Sequence, residues 1–422
     1  MRILLKQARI VDRNSPFNGK TLDVLIENGI ISDLNNNIKA EGALEITSPN
    51  LCVSIGWVDL KSSFGDPGFE HKETIESGLD TAAAGGYTHI FTIPQTSPIC
   101  DNKTIVDYQL SKAANHTVQL HPMGAITKGM KGEEIAEMYD MMQAGSKLFS
   151  DDTNPLNTGM LQRALLYSKN IGATLSLAIR DPYLSKNTQV NEGASSTRTG
   201  LKADPSISEV IQLEKIVRML EYTGTSAHIS GVSAKESIEI IKKAKNNGLS
   251  ITCDVNVMNV LFTETNVLGF DNLMKVLPVL RSETDRQHII SGINDGTIDA
   301  ITSDHRPVDA EEKELEFDYA SFGSYQLQTV FSSLNSQSKI SLEKLIEVLS
   351  ENARKIGQIE NSTIEIGKVA DLTLFDPNEK WTYSAETNVS RHAYSPFLNK
   401  EFTGKVLGIV RNTQCVFIDK HE

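Results

Sequence analysis

Between Ser54 and Ser350, short apolar runs alternate with longer amphipathic segments, and that rhythm leaves few architectures open. SIGWVDL is followed by HKETIESGLDTAAAGG and then YTHIFTIP. VQLHPMGAI precedes GEEIAEMYDMMQAG, and SKLFSDD follows it. LQRALLYSKNIG leads to ATLSLAI, VIQLEKIVRMLEYTG to SAHISGV, AKESIEIIKKAKNNG to LSITCDV, and DRQHIISGINDG to IDAITSD. Glycine closes most of the helical runs, as a left-handed C-cap requires. About eight such units favour a (β/α)8 barrel of the TIM type over an open doubly wound sheet. No G-x-G-x-x-G follows the first strand, which argues against a dinucleotide fold.

The two ends of the chain differ from the middle. ILLKQARIVD and LDVLIENGIISDL, with Asn28-Gly29 as a hairpin signal, read as strands. GKVADLTLFDP and KVLGIVRNTQCVFI read the same way near the other end. The expectation is an α/β chain with two domains. Residues 54–362 form the barrel, and residues 1–53 plus 363–422 form a small composite β-sandwich.

Charge and cysteine usage narrow the function. A formal net charge of -13 argues against a nucleic-acid groove or an anionic membrane as partner. No apolar run approaches the roughly 20 residues needed to span a bilayer. The start alternates like a strand rather than a secretory signal. Cys52, Cys100, Cys253 and Cys415 are widely spaced, which suits reduced thiols in the cytoplasm.

Barrel chemistry sits on the loops after the strands. Here those are Asp59–Gly68, Pro94–Asn102, Ser150–Asn154, Ala178–Asp181, His228–Ser233, Asp254–Asn259 and Ser303–Val308. GWVDLKSSFGDPGFEHKETIESGLDTAAAGGYTHIFTIPQTSP, then KLFSDD, NEG at 191–193, HISGVSAKES, MKVLPVLR, ITSDHRP, SENARKIG, IEIGKVADLTLFDP and YSPF follow in order. This set resembles the dihydroorotases, cyclic amidohydrolases of pyrimidine biosynthesis, in their long-chain type. The resemblance implies one or two zinc ions held by histidines and carboxylates, generating hydroxide near neutral pH. It also implies an arginine and an asparagine that grip the substrate carboxylate.

Set against that pattern, the chain departs at most site positions. The His-x-His of the first strand falls on Lys61 and Ser63, and the arginine after it on Gly65. The asparagine of the second loop falls on Gln95, and the histidine ending the fifth strand near Ala178. The histidine of HISGVS falls on Gly231, three residues after His228, and the tandem histidines after the seventh strand fall on Met258 and Asn259. Leu277 and Val308 stand at two further positions. Asp151 or Asp152, Asp304 and His305 are what persists. A lysine repels a cation and a serine is a poor zinc ligand. The degenerate metal-site positions are therefore Lys61, Ser63, Ala178, Gly231, Met258 and Asn259, and no metal cofactor is expected.

Each remaining candidate has a bland counterpart. Asp304 is a vestigial catalytic base, or a structural carboxylate at a strand end. Lys61 is a desolvated amine acting as base or nucleophile, or a built-in cation paired with Asp304 or Asp151; the second role is preferred. Asp151, Asp152 and Asp304 are residual candidates for a weak Mg2+ or Ca2+ site, whereas adjacent aspartates are more often a cap and a solvated charge. His228 reads as a strand histidine satisfied by backbone, 191–193 as a turn, and DAEEKELE at 309–316 as a solvated acidic face.

The leading expectation is a dihydroorotase-like protein that is catalytically silent. As the resemblance implies, it is a homodimer and a structural or regulatory partner of aspartate transcarbamoylase or of an active dihydroorotase. The alternative is an active dihydroorotase or related cyclic amide or ureide hydrolase with a reduced site, using one zinc or none. A third class is a metabolite sensor that keeps the cavity without the chemistry.

Overall fold

The computed structural model describes residues 1–418. Eight parallel strands form the barrel: β1 (Trp57–Ser62), β2 (Tyr87–Thr92), β3 (Gln119–Pro122), β4 (Leu148–Phe149), β5 (Thr174–Ala178), β6 (Ala227–Ser230), β7 (Ile251–Asn256) and β8 (Ala300–Thr302). β1–β3 pair in one run and β4–β8 in another. Parallel bridges between Gly124 and Phe149 and between Ser62 and His305 close the ring. Every residue of β1 and β2 is buried, as expected for strands covered on both faces.

The helices between them start and stop where the local chemistry directs. Thr74 and Ser77 form a capping box ahead of the helix Ile75–Ala84, and Ser282 with Asp285 does the same for Glu283–Asp295. Gly172, Gly224 and Gly296 end their helices in the left-handed conformation.

Both chain ends contribute to one eight-stranded sheet, in the order 414–417, 400–411, 371–383, 52–55, 2–10, 21–27 and 30–35, with 44–46 also paired to 2–10. It has its own apolar core, including Ile3, Leu5, Val24, Ile26, Leu372 and Leu374. The strand Cys52–Ile55 runs past the division expected at 53/54, because Ser54 and Ile55 pair with Thr373 and Leu372. The chain leaves that sheet at Gly56, where a β-carbon would lie 2.0 Å from Thr88 Oγ1 and 2.3 Å from Asp371 Oδ1.

Sheet and barrel share a buried junction. Trp57 packs against Phe331 and Phe375 at 4.9 and 5.4 Å between ring centroids. Beside it, Asp371 accepts from Arg354 Nη2 at 2.7 Å and lies 2.8 Å from His89 Nε2; His89 Nδ1 is 3.0 Å from His121 Nε2. Desolvation pushes the His89 and His121 pKa values down, against the pull of Asp371 on His89.

At the other end of the barrel, an excursion separates β5 from the helix Ser206–Thr223. It holds the paired short strands Val190–Asn191 and Ala203–Asp204 and the helix Ala194–Thr199. The segment read as a turn at 191–193 begins with a buried strand residue: Asn191 accepts from Arg281 Nη1 at 3.0 Å.

Candidate functional site

Lys61 lies on β1 with 9% of its side chain exposed, and its Nζ is 3.5 Å from Asp304 Oδ1, just after β8. Asp304 also accepts from Arg306 Nε at 2.9 Å and from Asn256 Nδ2 at 2.9 Å. The other end of the Arg306 guanidinium grips Asp152, with Nη1 at 2.8 Å and Nη2 at 2.5 Å. Two cations and two carboxylates thus form one chain across the barrel mouth, Lys61–Asp304–Arg306–Asp152. Burial pushes the Asp152 carboxyl up, but the charge and hydrogen bonds of Arg306, helped by Lys61, outweigh it and hold it below the usual range.

Both aspartates have left-handed backbones, φ +50° at Asp152 and +46° at Asp304. Aspartate tolerates that region better than most residues, yet it costs about 1 kcal/mol or more. The bidentate and cross-barrel bonds hold both carboxylates in place against this cost.

The neighbouring aspartate does something else. Asp151 accepts from the backbone of Ile126 at 2.8 Å and of Thr127 at 3.0 Å, and from the Thr127 hydroxyl. It is a loop organiser and takes no part in the ion-pair chain.

The positions singled out in the sequence separate into groups. Lys61, Asp152, Ala178 and Gly231 line one cavity with Leu277, and a β-carbon on Gly231 would lie 3.8 Å from Lys61 Nζ. Ser63, Gly65, Gln95 and Val308 line a second cavity, on the Arg306 side of the Arg306–Asp152 pair. Met258 and Asn259 belong to neither: they lie on the helix Val257–Leu261, Met258 within the apolar core and Asn259 donating to Val279 O at 3.0 Å. The residue that β7 delivers to the site is Asn256, because the strand ends two residues before Met258.

The histidines stand apart from the ion pairs. His228 is satisfied by side chains rather than backbone, with Asp254 Oδ2 at 2.8 Å and Thr252 Oγ1 at 2.9 Å. The fully buried His305 ring stands edge-on to Phe64 and Tyr325, its Nε2 3.6 Å from Glu73 Oε2. His71 is exposed beside Asp309.

The Lys61 cavity is small and internally neutralised. Its volume is about 40 Å³, room for a few water molecules and no more. Arg180 and Arg281 reach its rim, and both bind Asp204, at 2.8 and 2.9 Å. Glu209 accepts from the backbone of Ser233 and Ala234 at 2.9 and 3.0 Å. Among the described residues, no three His, Cys, Asp or Glu side chains stand together in a group that could hold a metal ion.

Arg306, Asn256, Arg281, Arg180 and Asp204 carry much of this geometry, and the sequence did not single them out. Arg306 follows Asp304 by two residues, which was a visible signal. Its partner Asp152 is 154 residues away and carries no local mark.

Comparison with known proteins fixes the lineage. A family profile described as Dihydro-orotase-like matches residues 51–237. A dihydroorotase of Geobacter sp. (strain M21) is 36% identical over 423 residues, covering 99% of this chain and 99% of that protein. The chain belongs to the dihydroorotase family. A dihydroorotase of Aquifex aeolicus (strain VF5) is likewise 36% identical, over 99% of this chain and all of its own length. Among solved structures, an L-hydantoinase (dihydropyrimidinase) from Arthrobacter aurescens superposes with a TM-score of 0.87 at 20% identity, covering 99% of this chain and 96% of its own. A D-hydantoinase gives 0.83 at 21% identity, covering all of this chain and 96% of its own. These two show the shared barrel fold. No helix among the described residues is long and apolar enough to cross a membrane.

Proposed function

We propose that this dihydroorotase-family chain does not hydrolyse cyclic amides and serves as a homodimeric, cytoplasmic structural partner in pyrimidine synthesis. Aspartate transcarbamoylase or a catalytically competent dihydroorotase is the partner class. One observation carries the reading. The two carboxylates at the barrel mouth, Asp152 and Asp304, already hold two built-in cations, Arg306 and Lys61.

The zinc implied by the family does not fit these residues. A metal ion at the mouth would stand beside an ammonium and a guanidinium, with Ala178 and Gly231 offering no ligand atom. No water-activating step is therefore assigned to the site.

The names of the relatives support the other reading, an active hydrolase with a reduced site. Elemental mass spectrometry on protein grown with added zinc and purified without chelator separates the two, combined with a dihydroorotase assay. The silent reading expects well under one transition metal per chain and no turnover. It also expects a stable complex with aspartate transcarbamoylase in native mass spectrometry. Metal near one per chain with measurable turnover would establish the hydrolase instead.

A further inference from the structure

Two buried lysines stand together beside the barrel mouth without a carboxylate partner. Lys275 follows the short helical turn Asn272–Met274, and Lys313 ends the helix Ala310–Lys313, in the segment after β8. Each is 2% exposed. Among the described residues neither makes an ion pair, and main-chain carbonyls alone hold both. Lys275 Nζ donates to Phe317 O at 2.5 Å and Asp318 O at 3.2 Å, and Lys313 Nζ to Gly323 O at 2.6 Å and Ser321 O at 3.1 Å. All four carbonyls belong to the stretch 309–323, so the two amines tie that segment down.

The number of bonds bears on the charge. An ammonium has three N–H donors and a neutral amine two. Each nitrogen has two carbonyl acceptors here, so the neutral form leaves no N–H unmet, whereas the charged form leaves one over. A buried ammonium without a counter-charge is costly, and two neighbouring ones repel. Desolvation lowers the Lys313 pKa to about 7, with repulsion from Lys275 added and the pull of Asp271 against it. Desolvation lowers Lys275 to about 8, against the pull of Asp318. The Phe317 and Phe322 rings, with centroids 5.2 and 5.1 Å from Lys275 Nζ, favour a charge on Lys275. Lys313 is the amine that gives up its proton first.

The other charged groups around the segment are engaged elsewhere. Asp309 caps the helix Ala310–Lys313 and faces His71 at 3.4 Å. Glu312 accepts from Lys72 and Glu314 from Tyr394, while Arg306 is held by Asp152 and Asp304. Glu311 and Glu316 are exposed. His71 and, behind it, His392 are the histidines beside the segment. Their protonation would draw the acidic turn closer and so oppose opening.

We propose that Lys275 and Lys313 form a proton-operated latch on segment 309–323, which lies closed while one of the two amines is neutral and opens when both are charged. In the open segment both amines meet water and regain the ordinary lysine pKa of about 10.4. The open form therefore binds the protons more tightly, and opening is favoured as pH falls through about 8 and then about 7. Ser321 and Phe322 line the cavity between the loops after β1, β2 and β8, so opening widens the mouth. The latch goes beyond the partner role proposed above and stands whether or not the mouth is catalytic.

The test is limited proteolysis of the full chain with a broad-specificity protease at about pH 6 and about pH 8.5, each site quantified by mass spectrometry. Rates are divided by those of a free peptide of the same sequence, which removes the protease's own pH dependence. Cleavage within 309–323 should be about tenfold or more faster at the lower pH, with sites in the barrel strands unchanged. Lys313→Met, or Lys313→Gln if the first does not fold, should shrink that ratio about fivefold or more, and His71→Asn should keep it. No acceleration at the lower pH overturns the latch, as does an acceleration shared by the barrel strands. An unchanged ratio in a folded Lys313 variant, or a ratio lost in His71→Asn, overturns it as well.

Discussion

Arg306 and Asp152 meet end-on, the two Nη atoms on the two carboxylate oxygens at 2.8 and 2.5 Å, inside the barrel mouth. The pair joins the loop after β4 to the loop after β8, and only 5% of Asp152 is exposed. Removing the guanidinium leaves the buried Asp152 carboxylate with only the charge of Lys61, which Asp304 shares. Arg306→Met should therefore destabilise the protein by about 3–5 kcal/mol in urea unfolding. The double change Arg306→Met with Asp152→Asn should recover part of that loss, since the buried charges that remain, Lys61 and Asp304, then balance.

Lys61 behaves differently, because Asp304 keeps Arg306 and Asn256 when the lysine is gone. Lys61→Met should change stability by no more than about 1 kcal/mol in either direction. A loss as large as that of Arg306→Met would mean that Lys61, rather than Arg306, is the main counter-charge of the mouth.

The carboxyl of Asp59 gives the barrel a pH signature. Burial pushes its pKa up to about 6, against hydrogen bonds from Ser303 and Ser62. A folded-state pKa above the unfolded value means that the native form holds its proton more tightly. That contribution is fully present below the ordinary carboxyl pKa of about 4 and is lost as pH rises through about 6. Unfolding measured from pH 4 to 7 should show a falling component of roughly 3 kcal/mol from this group. Asp59→Asn should flatten it.

At the opposite end of the barrel, Asp371 is the shared acceptor for Arg354 and His89. Asp371→Asn should strand the nearly inaccessible Arg354 guanidinium, leaving it only the carbonyls of Gly56 and Glu360, and cost about 3–5 kcal/mol. Because the junction joins barrel and sheet, hydrogen exchange should rise together in β2 and in the strand Asp371–Tyr383.

The barrel was legible because its strands are buried on both faces and its helices carry their own stop signals. β4 is two residues long and was recognisable only as part of the repeating order. The site was legible in part. The chemistry of an unpartnered lysine pointed to a carboxylate, and Lys61 Nζ is 3.5 Å from Asp304. Arg306 carries no local mark because its partner lies across the ring, and Asn256 is two residues before the positions that the family pattern marks. The acidic run 309–316 hid another exception. Lys313 within it is buried and donates to Gly323 O at 2.6 Å and Ser321 O at 3.1 Å, pairings that no local pattern announces.

Gly231 limits which side chains the barrel mouth can carry. Its φ is +75°, and any β-carbon there would stand 3.2 Å from Pro278, within reach of the Lys61 ammonium. A histidine placed at this position first meets a strained backbone, a crowded ring and a repelling cation, all before it can gain a ligand bond. The backbone and two neighbours, Pro278 and Lys61, would have to give way before such a side chain fitted. This one glycine keeps the mouth closed to any larger side chain at its position.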